Sequence, residues 1–227
     1  MMTKLRSHNY IYIILLVFLA CSNGKAPNKT DQSVKIEKKV TPEKPKTLLF
    51  FGDSLTAGYG LNDPDEAFPG LLQEKIDSLN LPYKVVTAGL SGETSAGGRA
   101  RVPWILKQNI DVFVLELGAN DGLRGISPAE TSKNLQDIID QVKAKYPNCK
   151  IVLTGMLMPP TMGAKYAADF KAVFPTLAKE NKLAFVPFLL EGVGGVSRLN
   201  QGDGIHPTAA GHRILADNVW SVLKDVL

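Results

Sequence analysis

The sequence predicts one α/β domain built on a parallel sheet of five strands covered by helices on both faces. Three observations point there. Short apolar runs recur five times after residue 46. Segments with helical periodicity separate them. The runs are β-branched or aromatic and nearly continuous in hydrophobicity, as strands buried on both faces are. Strand and helix alternating in this way imply a parallel sheet rather than a meander.

The elements follow in order. "TLLFF" (47–51) is the first strand, and "YKVVTAG" (83–89) and "DVFVLELG" (111–118) the second and third. "KIVLTGM" (150–156) and "LAFVPF" (183–188) complete the sheet. Residues 127–146 set Leu135, Ile138, Ile139 and Val142 on one helical face. That helix opens with "SPAE": a capping Ser, a Pro at the first position and an acid in the first turn. Residues 207–226 begin with Pro207 and repeat the pattern at Ile214, Leu215, Val219, Val222, Leu223 and Val226. His212 within this helix reads as a surface side chain, because Asp217 lies one position beyond helical reach.

Before the domain come two segments of other character. Residues 1–20 hold Lys4 and Arg6 and then the apolar stretch "YIYIILLVFLA". That stretch is short for a membrane span and suits a signal-peptide core. Ala20–Cys21 resembles a bacterial lipoprotein cleavage site, which implies that Cys21 becomes a lipidated first residue. Residues 21–46 are rich in Lys, Pro and polar side chains and read as a solvated tether. The expected product is exported and anchored by lipid, facing the periplasm or the cell exterior of a bacterium.

Charge supports this division. The chain carries 26 basic and 22 acidic side chains, but residues 47–227 carry 17 and 19. The excess of cations therefore belongs to the leader and tether. A near-neutral domain argues against nucleic acid as a partner. Cys149, the second of two cysteines, reads as a small filler at the start of a strand. Neither a disulfide framework nor a Cys/His metal site is expected.

In open α/β sheets ligands bind beyond the carboxyl ends of the strands. The loops at those positions are "GDSLTAGYG", "SGETSAGG", "GANDG", "MLMPPTMG" and, before the last helix, "GDGIHP". Ser54 in the first is a helix cap or a nucleophile. Gly92 in the second turns the loop or offers a bare backbone N–H. Asn120 in the third forms a turn or aims a carboxamide into a cleft. In the last, Asp203 and His206 are a turn with an incidental His, or a carboxylate orienting a base.

Taken together, these loops resemble the blocks of the SGNH (GDSL-type) hydrolases. The similarity lies at "FGDSLTAGYG", at Gly92 in "SGETS", at Asn120 in "GAND" and at Asp203 and His206 in "DGIHP". It spans roughly 47–227 and is closest to the arylesterase, lysophospholipase and thioesterase branch. The resemblance implies a three-layer α/β/α, flavodoxin-like fold. It implies Ser54 as nucleophile, His206 as base and Asp203 as its orienter. The oxyanion would be held by the N–H groups of Ser54 and Gly92 and by Asn120, with no metal or cofactor. The substrates would be aryl or short- and medium-chain acyl esters, lysophospholipids or thioesters. A carbohydrate acetylesterase of the same family, or a lipoprotein that binds acyl ligands without turnover, are the alternatives. "GMLMPPTMGAKY" (155–166) and "FLLEGVGGVSRLNQ" (188–201) are candidate walls of an acyl groove.

Overall fold

A computed structural model of the chain describes residues 44–227. The leader, Cys21 and the tether as far as Glu43 lie outside the described residues. Five strands form one parallel sheet in the order β2-β1-β3-β4-β5. They are β1 (Lys46–Gly52), β2 (Tyr83–Gly89), β3 (Val112–Glu116), β4 (Lys150–Thr154) and β5 (Ala184–Val186). The sheet is the one expected, with differences of degree: β3, β4 and β5 are shorter than the apolar runs that predicted them. Lys46, placed in the tether by composition, already pairs with Tyr83. β2 is an edge strand in which only Tyr83 is buried, because no further strand covers its outer side.

Helices cover both faces. α2 (Phe68–Ser78) packs against α7 (Ala209–Leu223) on one side. On the other, α3 (Ser95–Ile105) packs on α5 (Pro128–Lys145), and α5 on α6 (Ala164–Asn181). Two short helices, α1 (Ser54–Ala57) and α4 (Ala119–Leu123), follow β1 and β3 directly. The core between the layers is one cluster that includes Phe50, Phe51, Phe113, Phe170 and Phe174. β3 is buried at every residue, as the central strand should be.

α5 buries Leu135, Ile138, Ile139 and Val142, and Ser127 caps it by accepting the Glu130 N–H. α7 departs from expectation at its start and at His212. Its cap is Thr208, whose hydroxyl accepts the Gly211 N–H at 3.3 Å, while Pro207 stays in the preceding loop. His212 is buried, not on the surface. Its Nδ1 accepts the Phe68 N–H at 3.2 Å, and its ring stacks on that of Phe68. α2 supplies the neighbour, so the helix's own spacing could not reveal it. Burial, helped by the charge of His206, pushes the His212 imidazole down to about 4.

The order 2-1-3-4-5 reverses direction between β1 and β3, where doubly wound sheets open a crevice. Ser54 follows β1 and Asn120 follows β3, so both lie at that crevice.

Candidate active site

The turn out of β1 is shaped by two buried carboxyl groups. In the β1/β3 register Gly52 lies opposite Glu116. With no side chain at Gly52, the Glu116 carboxyl can fold over it. A Cβ there would strike that carboxyl, the Thr56 hydroxyl and, at 2.7 Å, the Glu116 carbonyl. Glu116 Oε2 accepts the Asp53 N–H at 3.1 Å and the Thr56 hydroxyl at 2.8 Å. Among the described residues Glu116 Oε1 has no partner.

Asp53 is the cap of α1: its Oδ1 accepts the Leu55 N–H at 3.0 Å. Ser54 is therefore the first helical residue, not the cap. Its own N–H has no acceptor within the helix. Burial pushes the Asp53 carboxyl up to about 6. Burial first, and then the charge of Asp53, drives Glu116 well above the ordinary range. Both shifts favour the protonated carboxyls; on Asp53 the Asn120 side chain works the other way, its Nδ2 donating to Asp53 Oδ2 at 3.0 Å.

The loop before α7 closes on itself around Asp203. Its Oδ1 accepts the N–H groups of Ile205 at 2.9 Å and His206 at 3.0 Å. Its Oδ2 lies 2.6 Å from His206 Nδ1. Gly204, at φ 70°, supplies the left-handed residue of this turn. The His206 ring, and then the two N–H groups, hold the Asp203 carboxyl well below the usual range. An ionised Asp203 places the proton on Nδ1, which leaves Nε2 as an acceptor. His206 Nε2 lies 3.0 Å from Ser54 Oγ.

Gln201 joins the two loops. Its Nε2 donates to the carbonyls of Tyr59 at 2.7 Å and Pro207 at 3.0 Å, and its N–H donates to the His206 carbonyl at 2.7 Å. The Tyr59 ring covers His206 at a centroid distance of 4.5 Å.

The remaining two loops are held from behind. Asp121 accepts from the Ser95 hydroxyl at 2.5 Å, the Ser95 N–H at 2.8 Å and the Thr131 hydroxyl at 3.3 Å. This joins the starts of α3, α4 and α5. Glu93 pairs with Arg101, whose guanidinium lies over the Phe51 ring. Gly92 has φ 79°, and its carbonyl accepts from Arg124 at 3.0 Å. A Cβ at Gly92 would have room, so the backbone angle is what calls for glycine there.

Ser54, Asn120 and His206 are among the residues that line a cleft of about 640 Å³. Asp203 stands behind His206, and Gly92 lies on the adjoining loop. The cleft continues over Met156, Leu157, Met158 and Pro159 on one side. Phe188, Leu190, Gly194 and Gly195 form the other. Both segments proposed as walls are there, and Met156 and Met158 also belong to the core. A hydroxyl, an imidazole and a carboxylate in contact in this order beside an apolar cleft can carry acyl transfer.

Reading the sequence by loops missed Asp53, Glu116 and Gln201. Glu116 had left a signal: a charged side chain in an otherwise apolar strand, "VFVLE", needs a buried partner.

Comparison with known proteins identifies the family. Residues 50–214 match the GDSL-like Lipase/Acylhydrolase family. The chain is 43% identical over 183 residues to the esterase TesA of Pseudomonas aeruginosa, covering 80% of this chain and 90% of that protein. It is 42% identical over 172 residues to thioesterase 1/protease 1/lysophospholipase L1 of Escherichia coli K12, covering 75% and 80%. A crystal structure of TesA superposes with a TM-score of 0.76 at 43% identity, covering 80% of this chain and 100% of that one. The SGNH-hydrolase family esterase AlinE4 superposes with a TM-score of 0.67 at 37% identity, covering 82% and 99%. With its sheet order, its strand-end loops and these relatives in agreement, the chain belongs to the GDSL (SGNH) hydrolase family of ester-bond hydrolases.

Proposed function

We propose that this protein is an exported serine esterase that cleaves acyl esters through an acyl-enzyme on Ser54. One observation carries the reading: the unbroken contact chain Asp203–His206–Ser54 beside an apolar cleft. His206 Nε2 takes the Ser54 hydroxyl proton as Oγ attacks the acyl carbon. The tetrahedral oxyanion is held by the N–H groups of Ser54 and Gly92 and by the second Nδ2 proton of Asn120. His206 then protonates the departing alcohol, and the acyl group stays on Ser54. Water, deprotonated by His206, releases the acid by the same steps. Asp203 stays ionised throughout, which supports the imidazolium each time it forms.

The apolar walls favour an acyl chain over a sugar in the cleft. Relatives described as an esterase, a thioesterase and lysophospholipase, and an arylesterase support carboxylic esters as the substrate class. The apolar leader and the Ala20–Cys21 junction support export and acylation of Cys21.

A fluorophosphonate probe tests the mechanism. It should label folded protein at Ser54 and abolish hydrolysis of p-nitrophenyl esters. Ser54→Ala should lose both labelling and turnover while keeping its unfolding midpoint. Turnover retained by Ser54→Ala would sink the proposal.

A further inference from the structure

The end of the sheet opposite the cleft is basic. Strands start and helices end there, so Lys84, Lys107, Lys145, Lys150, Lys182 and Lys224 converge on one pole, all six exposed. Hydrogen bonds tie this pole together. The Tyr83 hydroxyl donates to the Leu227 carbonyl at 2.7 Å and the Tyr146 hydroxyl to the Leu106 carbonyl at 2.9 Å. Lys150 Nζ donates to the Val226 carbonyl. A cleft of about 320 Å³ opens here, with Lys143, Lys150 and Lys182 among its lining residues. Acids at the pole are fewer. They include Asp77, Glu180 and Asp225, with Glu74 and Asp140 about a turn further back on α2 and α5, while Asp111 accepts the Thr47 N–H at 2.7 Å. Residues 47–227 together have 17 basic and 19 acidic side chains, so this concentration comes from placement.

The pole also has apolar exposure. Trp104, near the end of α3, is 69% exposed, with Lys107 Nζ 3.6 Å from its ring centroid. Leu79, after α2, is exposed too. Trp beside Lys is the chemistry of a membrane–water boundary, where the ring sits at headgroup depth and the ammonium meets phosphate. The chain enters the domain at this same pole, through exposed Lys44 and Lys46. The preceding 22–43 stretch holds five more lysines in sequence. The strand-end loops at the other pole are mixed in charge, with exposed Asp63, Asp65, Glu191 and Asp203 beside exposed Arg124, Lys165 and Arg198, so they lack the excess of cations found at this pole.

We propose that the strand-start pole docks on an anionic phospholipid surface, lysines on the headgroups and Trp104 at the boundary, so that the active-site cleft opens away from that membrane. The enzyme then meets esters from the aqueous side rather than lipids of the bilayer it rests on. The proposal does not depend on acylation of Cys21 or on the reaction at Ser54.

Vesicle binding by residues 44–227 tests it. Among the described residues the buried core runs from Leu48 to Leu223, all of it within this piece. It should co-sediment with phosphatidylcholine vesicles containing phosphatidylglycerol and be released by high salt. Each Lys near an anionic surface contributes about fivefold. The triple variant Lys145→Glu, Lys150→Glu, Lys182→Glu should therefore bind at least about a hundredfold more weakly, with hydrolysis of a soluble p-nitrophenyl ester unchanged. Trp104→Ala should also weaken binding. Equal binding to vesicles of phosphatidylcholine alone would overturn the proposal. So would full binding by the triple variant, loss of binding through Tyr59→Ser with Leu123→Ser beside the cleft, or tighter binding to duplex DNA than to vesicles.

Discussion

Asn120 does two things at once. Its carboxamide is tethered to Asp53 through one Nδ2 proton, which leaves the other to point into the cleft. Asn120→Ala should therefore lower kcat by about 10²–10³ with little change in KM, because the oxyanion exists only in the transition state. It should also cost about 1–3 kcal/mol of stability, since Asp53 Oδ2 is left buried without its donor. A rise in KM with kcat unchanged would contradict this role. Glu116 makes a prediction of opposite kind. Its folded-state carboxyl holds a proton that the unfolded chain releases near the ordinary Glu value. Above that value the native state binds more protons, so this group's stabilising contribution fades as pH rises. Glu116→Gln keeps the acceptor for Asp53 and Thr56 and removes the proton. Its stability relative to wild type should climb as pH rises above the ordinary Glu value, by up to about 1.4 kcal/mol per pH unit, in urea unfolding. Parallel stability curves would refute a protonated Glu116. His212 acts in the reverse sense, since its depressed imidazole costs stability as pH falls from 6.5 toward 4.

At the scale of elements, the site depends on how β1 passes into α1. Gly52 is the last residue of β1 and lies two positions before Ser54. Its φ is ordinary, so its requirement is space: the nearby Glu116 carbonyl is backbone and cannot swing away. Gly52→Ala should push β1 and β3 apart locally. The expected cost is about 1–3 kcal/mol, with a fall in kcat as Ser54 shifts from His206. A variant with wild-type midpoint and rate would show that the strands absorb the methyl. α1 itself is four residues long and could not persist alone. Asp53 caps it, Thr56 ties it to Glu116, and Gly89 lets β2 run beneath it, where a Cβ would come 2.7 Å from Ala57 Cα. A side chain on such a short helix is held in place only by the cap before it and by β2 and β3 beside it.

For the whole molecule, the cleft is assembled from segments far apart in sequence, the 156–159 and 188–195 walls and the catalytic loops. Each methylene it buries should contribute about 0.8 kcal/mol, close to fourfold in kcat/KM. A p-nitrophenyl ester series should therefore rise in kcat/KM from acetate through the medium chains and level off where the cleft ends. A profile that peaks at acetate would favour an acetylesterase instead.

Local pattern alone determined the five strands, the α5 face and the residue types at each strand end, because periodicity and turn chemistry act over a few residues. Ser54, Gly92, Asn120, Asp203 and His206 were legible for that reason, through their loops and family resemblance. Only the tertiary structure decided which of their neighbours meet. The β1/β3 register sets Glu116 over Gly52. The packing of α2 on α7 buries His212. Gln201 binds the carbonyl of Tyr59 across 142 positions. Such contacts are fixed by which strand lies beside which and which helix covers them. A buried charge or imidazole takes its protonation state from that surrounding rather than from its place along the chain.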